Sequence, residues 1–261
     1  LATSTNSMGG FAGLIPAWYI VIAYTMQLYF DFSGYTDMVL GISMFFGITL
    51  PPNFNNPYLA TNPAEFWERW HMSLSNWFNY YLFSPISRSL LRKWGSARRD
   101  QAQYVANLST MALVGLWHGA GWSYILWGAY HGLLLNFNAW WKRKNINIPV
   151  WIGRPVFLLS LVLGWAFFMS PDSEYLKHLF QQLFGFGGLG TSALILKLAG
   201  DVATPALFVA ILLSISGLSE AASVWSVTQN QRAWYALLWG VLAALSLFLL
   251  GGQIQFLYIQ F

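Results

Sequence analysis

The chain has 261 residues, 56% hydrophobic and only 8% charged, with a formal net charge of +4. Soluble domains carry about 25% charged residues, so a soluble fold would have to hide 15 Trp, 13 Tyr and 20 Phe behind almost no charged coat; this composition points to the lipid bilayer as solvent. The absence of cysteine excludes disulfides, thiolate metal sites, palmitoylation and a Cys nucleophile, and basic residues confined to short loops suit a membrane protein's cytoplasmic side better than a nucleic-acid surface.

The start carries no charged n-region, so no signal peptide is expected. Residues 11–30 form an uncharged run of 20 residues, long enough to span about 30 Å of hydrocarbon as a helix. Asp31 and Asp37 follow within Tyr29-Phe-Asp-Phe-Ser-Gly-Tyr-Thr-Asp37, where Gly34 leaves room for a bend. The proline-rich stretch from Pro51 to Pro57 reads as a rigid loop, since Pro removes donors and restricts its predecessor. A helix start follows: Asn62 as cap, Pro63 at the first helical position and Glu65 three residues after the cap. That helix is expected to run to Phe78 with Trp67, Trp70, Leu74 and Phe78 on one stripe, and with His71 one turn from both Trp67 and Ser75.

Arg88, Arg92, Lys93, Arg98 and Arg99 precede residues 101–141, a stretch of 41 residues without a formal charge; Lys142, Arg143 and Lys144 close it. Its length suits two spans, and basic clusters at both ends put both ends on the cytoplasmic side. His118 stands near the middle, in Gly115-Leu-Trp-His-Gly-Ala-Gly-Trp122, where the glycines allow a break. Further spans are expected at residues 155–171, 202–219 and 233–250, with an interfacial helix around Asp172, Glu174, Lys177 and His178, and a Gly-rich turn at 185–190. Residues 253–261 alternate weakly and are too short to assign. About six membrane segments in one domain, residues 1–261, make an all-α, polytopic transmembrane bundle with re-entrant or interfacial helices.

Ionisable groups inside membrane segments are functional candidates, because burying them in lipid costs several kcal/mol. His118 reads either as a general base in an apolar tunnel, neutral and able to take a proton from an attacking hydroxyl, or as a structural histidine satisfied by backbone carbonyls. His71 reads either as functional or as an interfacial histidine among tryptophans. His131, thirteen residues after His118 in the second half of the hairpin, is one more candidate, with packing as the weightier reading in a tryptophan-rich neighbourhood, and His178 reads as solvated. Asp31 and Asp37 are six residues apart, about 600° around a helix, so they suit ion pairing or hydrogen bonding within a bundle better than paired acid/base work. No phosphate loop, nucleophile elbow or metal-spaced cluster is present; Gly41-Ile-Ser43 lacks the closing glycine of an elbow.

Four ordered stretches resemble the signatures of the membrane-bound O-acyltransferase family: Tyr29 to Asp37; Pro52-Asn-Phe-Asn-Asn-Pro-Tyr58; Glu65-Phe-Trp-Glu-Arg-Trp-His-Met-Ser-Leu-Ser-Asn-Trp77; and Gly115-Leu-Trp-His-Gly119. The resemblance is closest to the branch that acetylates alginate, with the teichoic acid D-alanyl branch sharing most motifs. It implies His118 as catalytic base, His71 as a second functional position, and Trp70, Ser75, Trp117, Asp31 and Asp37 near a substrate tunnel. It implies a ring of tilted helices around a thinned centre, with amino-terminal helices beyond those seen here. It further implies acetyl-CoA or another acyl thioester as donor, no permanently bound cofactor and no metal. It implies a polysaccharide hydroxyl as eventual acceptor, a periplasmic acetyltransferase or export proteins as partners, and residence in the bacterial inner membrane. A small-solute transporter is the rival of another class, although the inverted repeat it would favour is not found.

Overall fold

The computed structural model describes residues 13–146, 148–190 and 207–211, and the described elements are helical throughout. Helix α1 (Leu14–Phe45) is followed by a loop with a short 3-10 turn at Pro57–Leu59. Two short helices come next, α2 (Pro63–Trp67) and α3 (Met72–Phe78). A π-helical turn at Asn79–Phe83 leads into α4 (Ser84–Trp94). Then come α5 (Arg99–His118), α6 (Trp122–Arg143), α7 (Val150–Met169) and α8 (Ser173–Leu183).

The frame of the site is the antiparallel hairpin of α5 and α6, among the described residues the most extensively packed helix pair. Its closeness is written in glycine. A Cβ on Gly128 would meet the Met111 carbonyl, one on Gly132 would stand 2.9 Å from Leu108 Cα, and one on Gly115 would meet the Tyr124 carbonyl. Small residues let backbones approach where lipid supplies no hydrophobic drive between helices. Polar side chains cross the same seam: Asn107 Nδ2 donates to Asn136 Oδ1 (2.9 Å), and Asn136 Nδ2 donates to the Tyr104 carbonyl (2.9 Å). At the open end Arg143 pairs with Asp100 at 3.0 Å.

Helix α7 packs on α6 and α1, and α8 closes a second, smaller cluster. The Asp172 side chain caps α8 by accepting from the Tyr175 N–H at 2.7 Å. Its apolar face, Leu179 and Leu183, is buried against Ala17 and Val21 of α1 and Ala166 of α7. A helix is expected around residues 172–178 and is found there, and Gly185 and Gly188 turn the chain after it with positive φ. His178 is half-buried on α8 rather than solvated.

Two expectations change. The Asp31–Asp37 stretch is not a bend: α1 runs unbroken through Gly34 for 32 residues, about 48 Å at 1.5 Å per residue. The helix expected across residues 63–78 is two helices, broken where His71 takes a left-handed backbone, φ 42° and ψ 55°. The uncharged segment 101–141 folds as two helices of the length expected, with the break at Gly119 where the glycines allow it, so His118 ends α5. Among the described residues, one helix, α7, is long and apolar enough by itself to cross a membrane. It starts five residues before the expected span at 155 and carries Pro155 within its first two turns. Of the span expected at 202–219 only residues 207–211 are described, and these are helical; 233–250 and 253–261 lie outside the described residues.

Candidate functional site

The site begins with the loop before α2. Asn62 caps α2 as its spacing predicts, Oδ1 accepting from the Glu65 N–H at 3.1 Å. Glu65 reaches back one residue further than a standard capping box, accepting from the Thr61 N–H (2.8 Å) and hydroxyl (2.9 Å). Arg69 pairs with it at 2.9 Å. Burial raises the Glu65 carboxyl, but the hydrogen bonds from Thr61 and the Arg69 guanidinium outweigh it and hold the group below its ordinary value.

The proline-rich loop then holds the break open. The Asn55 N–H donates to the Arg69 carbonyl (2.9 Å), and the Met72 N–H to the Asn53 carbonyl (2.9 Å). Asn53 Oδ1 accepts from the Ser73 N–H (3.1 Å). These bonds flank His71 on both sides and take over backbone groups that a continuous helix would have satisfied internally. A non-glycine residue in the left-handed region costs of order 1–3 kcal/mol and persists where its surroundings over-determine it. Here they do, and the result turns the His71 ring toward α1, where it meets Phe32 edge-on at 4.7 Å and 84°. Burial pushes the His71 imidazole, which lies outside the long helices, down to about 4, so it is neutral at pH 7.

His118 is placed from the other side. It ends α5, and Gly119 after it has extended backbone, which releases the chain into the turn to α6. Its imidazole meets Trp117 at 4.8 Å, Phe168 at 5.1 Å and Trp127 at 5.3 Å, each near perpendicular. The hairpin turn, the α2–α3 break and the end of α7 thus converge on two imidazoles whose sequence positions are 47 apart.

An aromatic cluster joins them. Trp70 packs against Phe32 (6.5 Å), Phe54 (5.0 Å) and Trp165 (5.2 Å), and Trp165 stacks on Trp127 at 5.8 Å and 25°. Trp70 is therefore core, at 4% exposure. Ser75 lines a cavity of about 330 Å³ between α2–α3 and the hairpin, together with Trp67, Asn76, Asn79, Asn107 and Thr110. The Ser75 hydroxyl donates to the Trp70 carbonyl at 3.0 Å, stitching the start of α3 across the break. Trp117 is 57% exposed on the outer side of His118 and touches Phe78 at 6.2 Å.

Asp31 and Asp37 are half-buried on different faces of α1, so they are not a carboxylate pair; Phe32, beside Asp31, is the α1 residue that reaches His71. Sequence reading missed Phe32, Asn53, Trp127, Trp165 and Phe168. Asn53 had a signal, lying in a loop motif with no other evident task. The aromatic residues had none, because each is one among many in an apolar helix. His131, a candidate whose weightier reading is packing, is fully buried in the same cluster, with Trp67 at 5.3 Å and Trp127 at 5.1 Å.

Comparison with known proteins follows the same residues. The model of the membrane-bound O-acyltransferase family matches residues 10–164, a range that contains both histidines and the break between them. A Pseudomonas aeruginosa protein named "Probable alginate O-acetylase" is 39% identical over 176 residues, 66% of this chain and 32% of that protein. A Helicobacter pylori peptidoglycan O-acetyltransferase is 36% identical over 180 residues, 67% and 33% of the respective chains. A Streptococcus thermophilus teichoic acid D-alanyltransferase is 39% identical over 148 residues, 57% and 35%. These matches span about a third of each relative's length.

Proposed function

The chain belongs to the membrane-bound O-acyltransferase family, and on that premise we propose that it carries the catalytic histidine of an acyl transfer from a thioester to a hydroxyl. The observation that carries the reading is the convergence of His118 and His71 from separate elements onto one aromatic cluster, His71 against Phe32 and His118 against Trp127, with Trp70 and Trp165 between them. Nothing in chain packing alone calls for two imidazoles there.

In the reaction, the acceptor oxygen attacks the thioester carbonyl carbon and His118 takes the hydroxyl proton as general base. The carbon–sulfur bond then breaks, and the thiolate leaves with the proton returned from His118. His71, neutral, offers a ring N–H to the carbonyl oxygen as charge builds on it. The aromatic walls keep water from competing for the acyl group. The cavity bearing Ser75, Asn76 and Asn79 suits the amide-rich arm of a thioester donor such as acetyl-CoA.

The bundle is read as multi-pass in the bacterial inner membrane. Helices α5 and α6, 20 and 22 residues long, span about 30 Å each. Their charged ends, Arg98 to Asp100 and Lys142 to Lys144, face the cytoplasm. The acceptor is a hydroxyl on the path to an extracellular polysaccharide, alginate in the relatives named for it, with a periplasmic acetyltransferase or export proteins as partners. D-alanyl transfer toward teichoic acid is the second reading, favoured by the Streptococcus relative. His118→Ala in the full-length protein is expected to abolish acetylation of the exported polymer. Retained acetylation at normal protein levels removes His118 from the mechanism.

A further inference from the structure

We infer that His131 is a positioning residue that fixes the Trp127 indole and, through it, the orientation of the His118 imidazole; this rests on the reading of His118 as the base. His131 is 0% exposed, and among the described residues neither of its ring nitrogens has a hydrogen-bond partner. It lies one turn after Trp127 on α6. Its ring meets Trp127 at 5.1 Å and 62°, Trp67 at 5.3 Å and 83°, and Trp165 at 6.2 Å and 53°. Helix α7 gives up a side chain to admit it: a Cβ on Gly164 would stand 2.8 Å from His131 Nε2. The neighbouring Tyr130 hydroxyl donates to the Ser160 carbonyl at 2.7 Å, tying α6 to α7 beside the ring.

Packing alone does not account for an imidazole at this position. A buried polar group without a hydrogen bond is costly, and a Phe would fill the same space without that cost. The nearby indole nitrogens of Trp67, Trp127 and Trp165 are likewise buried without a hydrogen-bond partner. What remains to an imidazole N–H here is the face of an indole, a directional contact that a phenyl ring cannot make. Trp127 is the indole that matters, because it also meets His118 at 5.3 Å and 88°. Holding Trp127 limits rotation of the His118 ring about its own side-chain axis and keeps one nitrogen aimed at the acceptor. A general base displaced by an ångström loses much of its rate while the donor still binds.

The test uses the full-length protein in detergent, with acyl transfer from a labelled acetyl thioester and rates taken per monodisperse protein. His131→Phe is expected to lower kcat roughly ten- to a hundredfold with donor KM unchanged. His131→Gln, which restores an N–H, is expected to recover several-fold of that loss. Trp127→Phe is expected to show a similar fall, and the Trp127→Phe, His131→Phe double variant to be no worse than Trp127→Phe alone. His131→Leu takes the place of His131→Phe if the latter is not recovered monodisperse. A His131→Phe rate within twofold of wild type, a loss carried by KM, or additive losses in the double variant would overturn the inference. His118→Ala, run alongside, separates the two claims. If it is active, the assignment of His118 itself fails; if it is dead while His131→Phe is fully active, only the role of His131 fails.

Discussion

Gly128→Ala is the sharpest perturbation of the frame that carries His118. A Cβ there would stand 2.9 Å from the Met111 carbonyl carbon and 3.2 Å from Ala112 Cα, with the Met111 oxygen nearer still. Both obstacles are backbone, so no side-chain rotation relieves them. Helices α5 and α6 must part by roughly half an ångström to an ångström, and a gap of that size forfeits a quarter to a half of each contact's dispersion energy. Overpacking of this kind costs about 1–3 kcal/mol, offset by at most about 1 kcal/mol from alanine's better helix propensity. The net expectation is a loss of about 1–2 kcal/mol. Gly41→Ala on α1 is the control, since nothing lies within 4 Å of a Cβ there; only propensity acts, and the change is stabilising by up to about 1 kcal/mol. Thermal unfolding of the purified protein, followed by size-exclusion monodispersity, should move the two midpoints in opposite directions by a few degrees each. Acyl transfer should fall in Gly128→Ala alone, because the hairpin turn carries His118. If Gly128→Ala melts at or above the wild-type midpoint, the helices are not packed at backbone contact and the account of the frame is wrong.

His71 separates backbone from side chain. His71→Asn, which tolerates the left-handed region, should keep the melting midpoint within a degree or two and lose acyl transfer. His71→Val should lower the midpoint as well, by about 1–3 kcal/mol of strain. Asn136→Leu should cost about 0.6 kcal/mol, the average for polar contacts between membrane helices, and at most about 1.7 kcal/mol, because it strands Asn107 and the Tyr104 carbonyl; a midpoint equal to wild type would show that this pair contributes nothing. Glu65, held below its ordinary value of 4.5, stabilises the α2 start at pH above that value and loses the contribution as pH falls through its lowered folded value. The stability gap between wild type and Glu65→Gln should therefore be flat near neutrality and close only on acidification below about 4.5. A gap that persists unchanged at low pH would remove the carboxylate from the cap.

Much of the local structure was legible, and the reasons are local. Asn62, Pro63 and Glu65 mark a helix start because each acts within one turn, and the structure uses all three. The two glycines after His118 marked a break for the same reason, and the polar stretch with Asp172, Glu174 and Lys177 marked a helix, which Asp172 caps. The break at His71 was not legible, because the stripe of Trp67, Trp70, Leu74 and Phe78 has good helical spacing on either side of it. What overrides that spacing is a tertiary contact, a pair of backbone hydrogen bonds with a loop nearly twenty residues earlier: the Asn55 N–H donates to the Arg69 carbonyl and the Asn53 carbonyl accepts from the Met72 N–H. Gly34 misled in the opposite sense: a glycine permits a bend, yet with α1 packed along α7 nothing required one.

The same distinction separates the two histidines from their surroundings. His118 and His71 stood out because an ionisable group is rare in so apolar a chain, and four histidines leave few alternatives. Trp127, Trp165 and Phe168 could not stand out, since composition makes aromatic residues the background. Their role is set by where three helices cross, and only the crossing decides which indole touches an imidazole and which merely fills space. Trp70 shows the cost of ignoring this: its motif suggested a tunnel wall, and its 4% exposure and ring contacts put it in the core behind His71. A core tryptophan one residue before a strained histidine is still mechanistically relevant. Its ring is wedged among Phe32, Phe54 and Trp165, so the chain cannot relax its left-handed turn without unseating that indole, and the strain at His71 is held by the aromatic core itself.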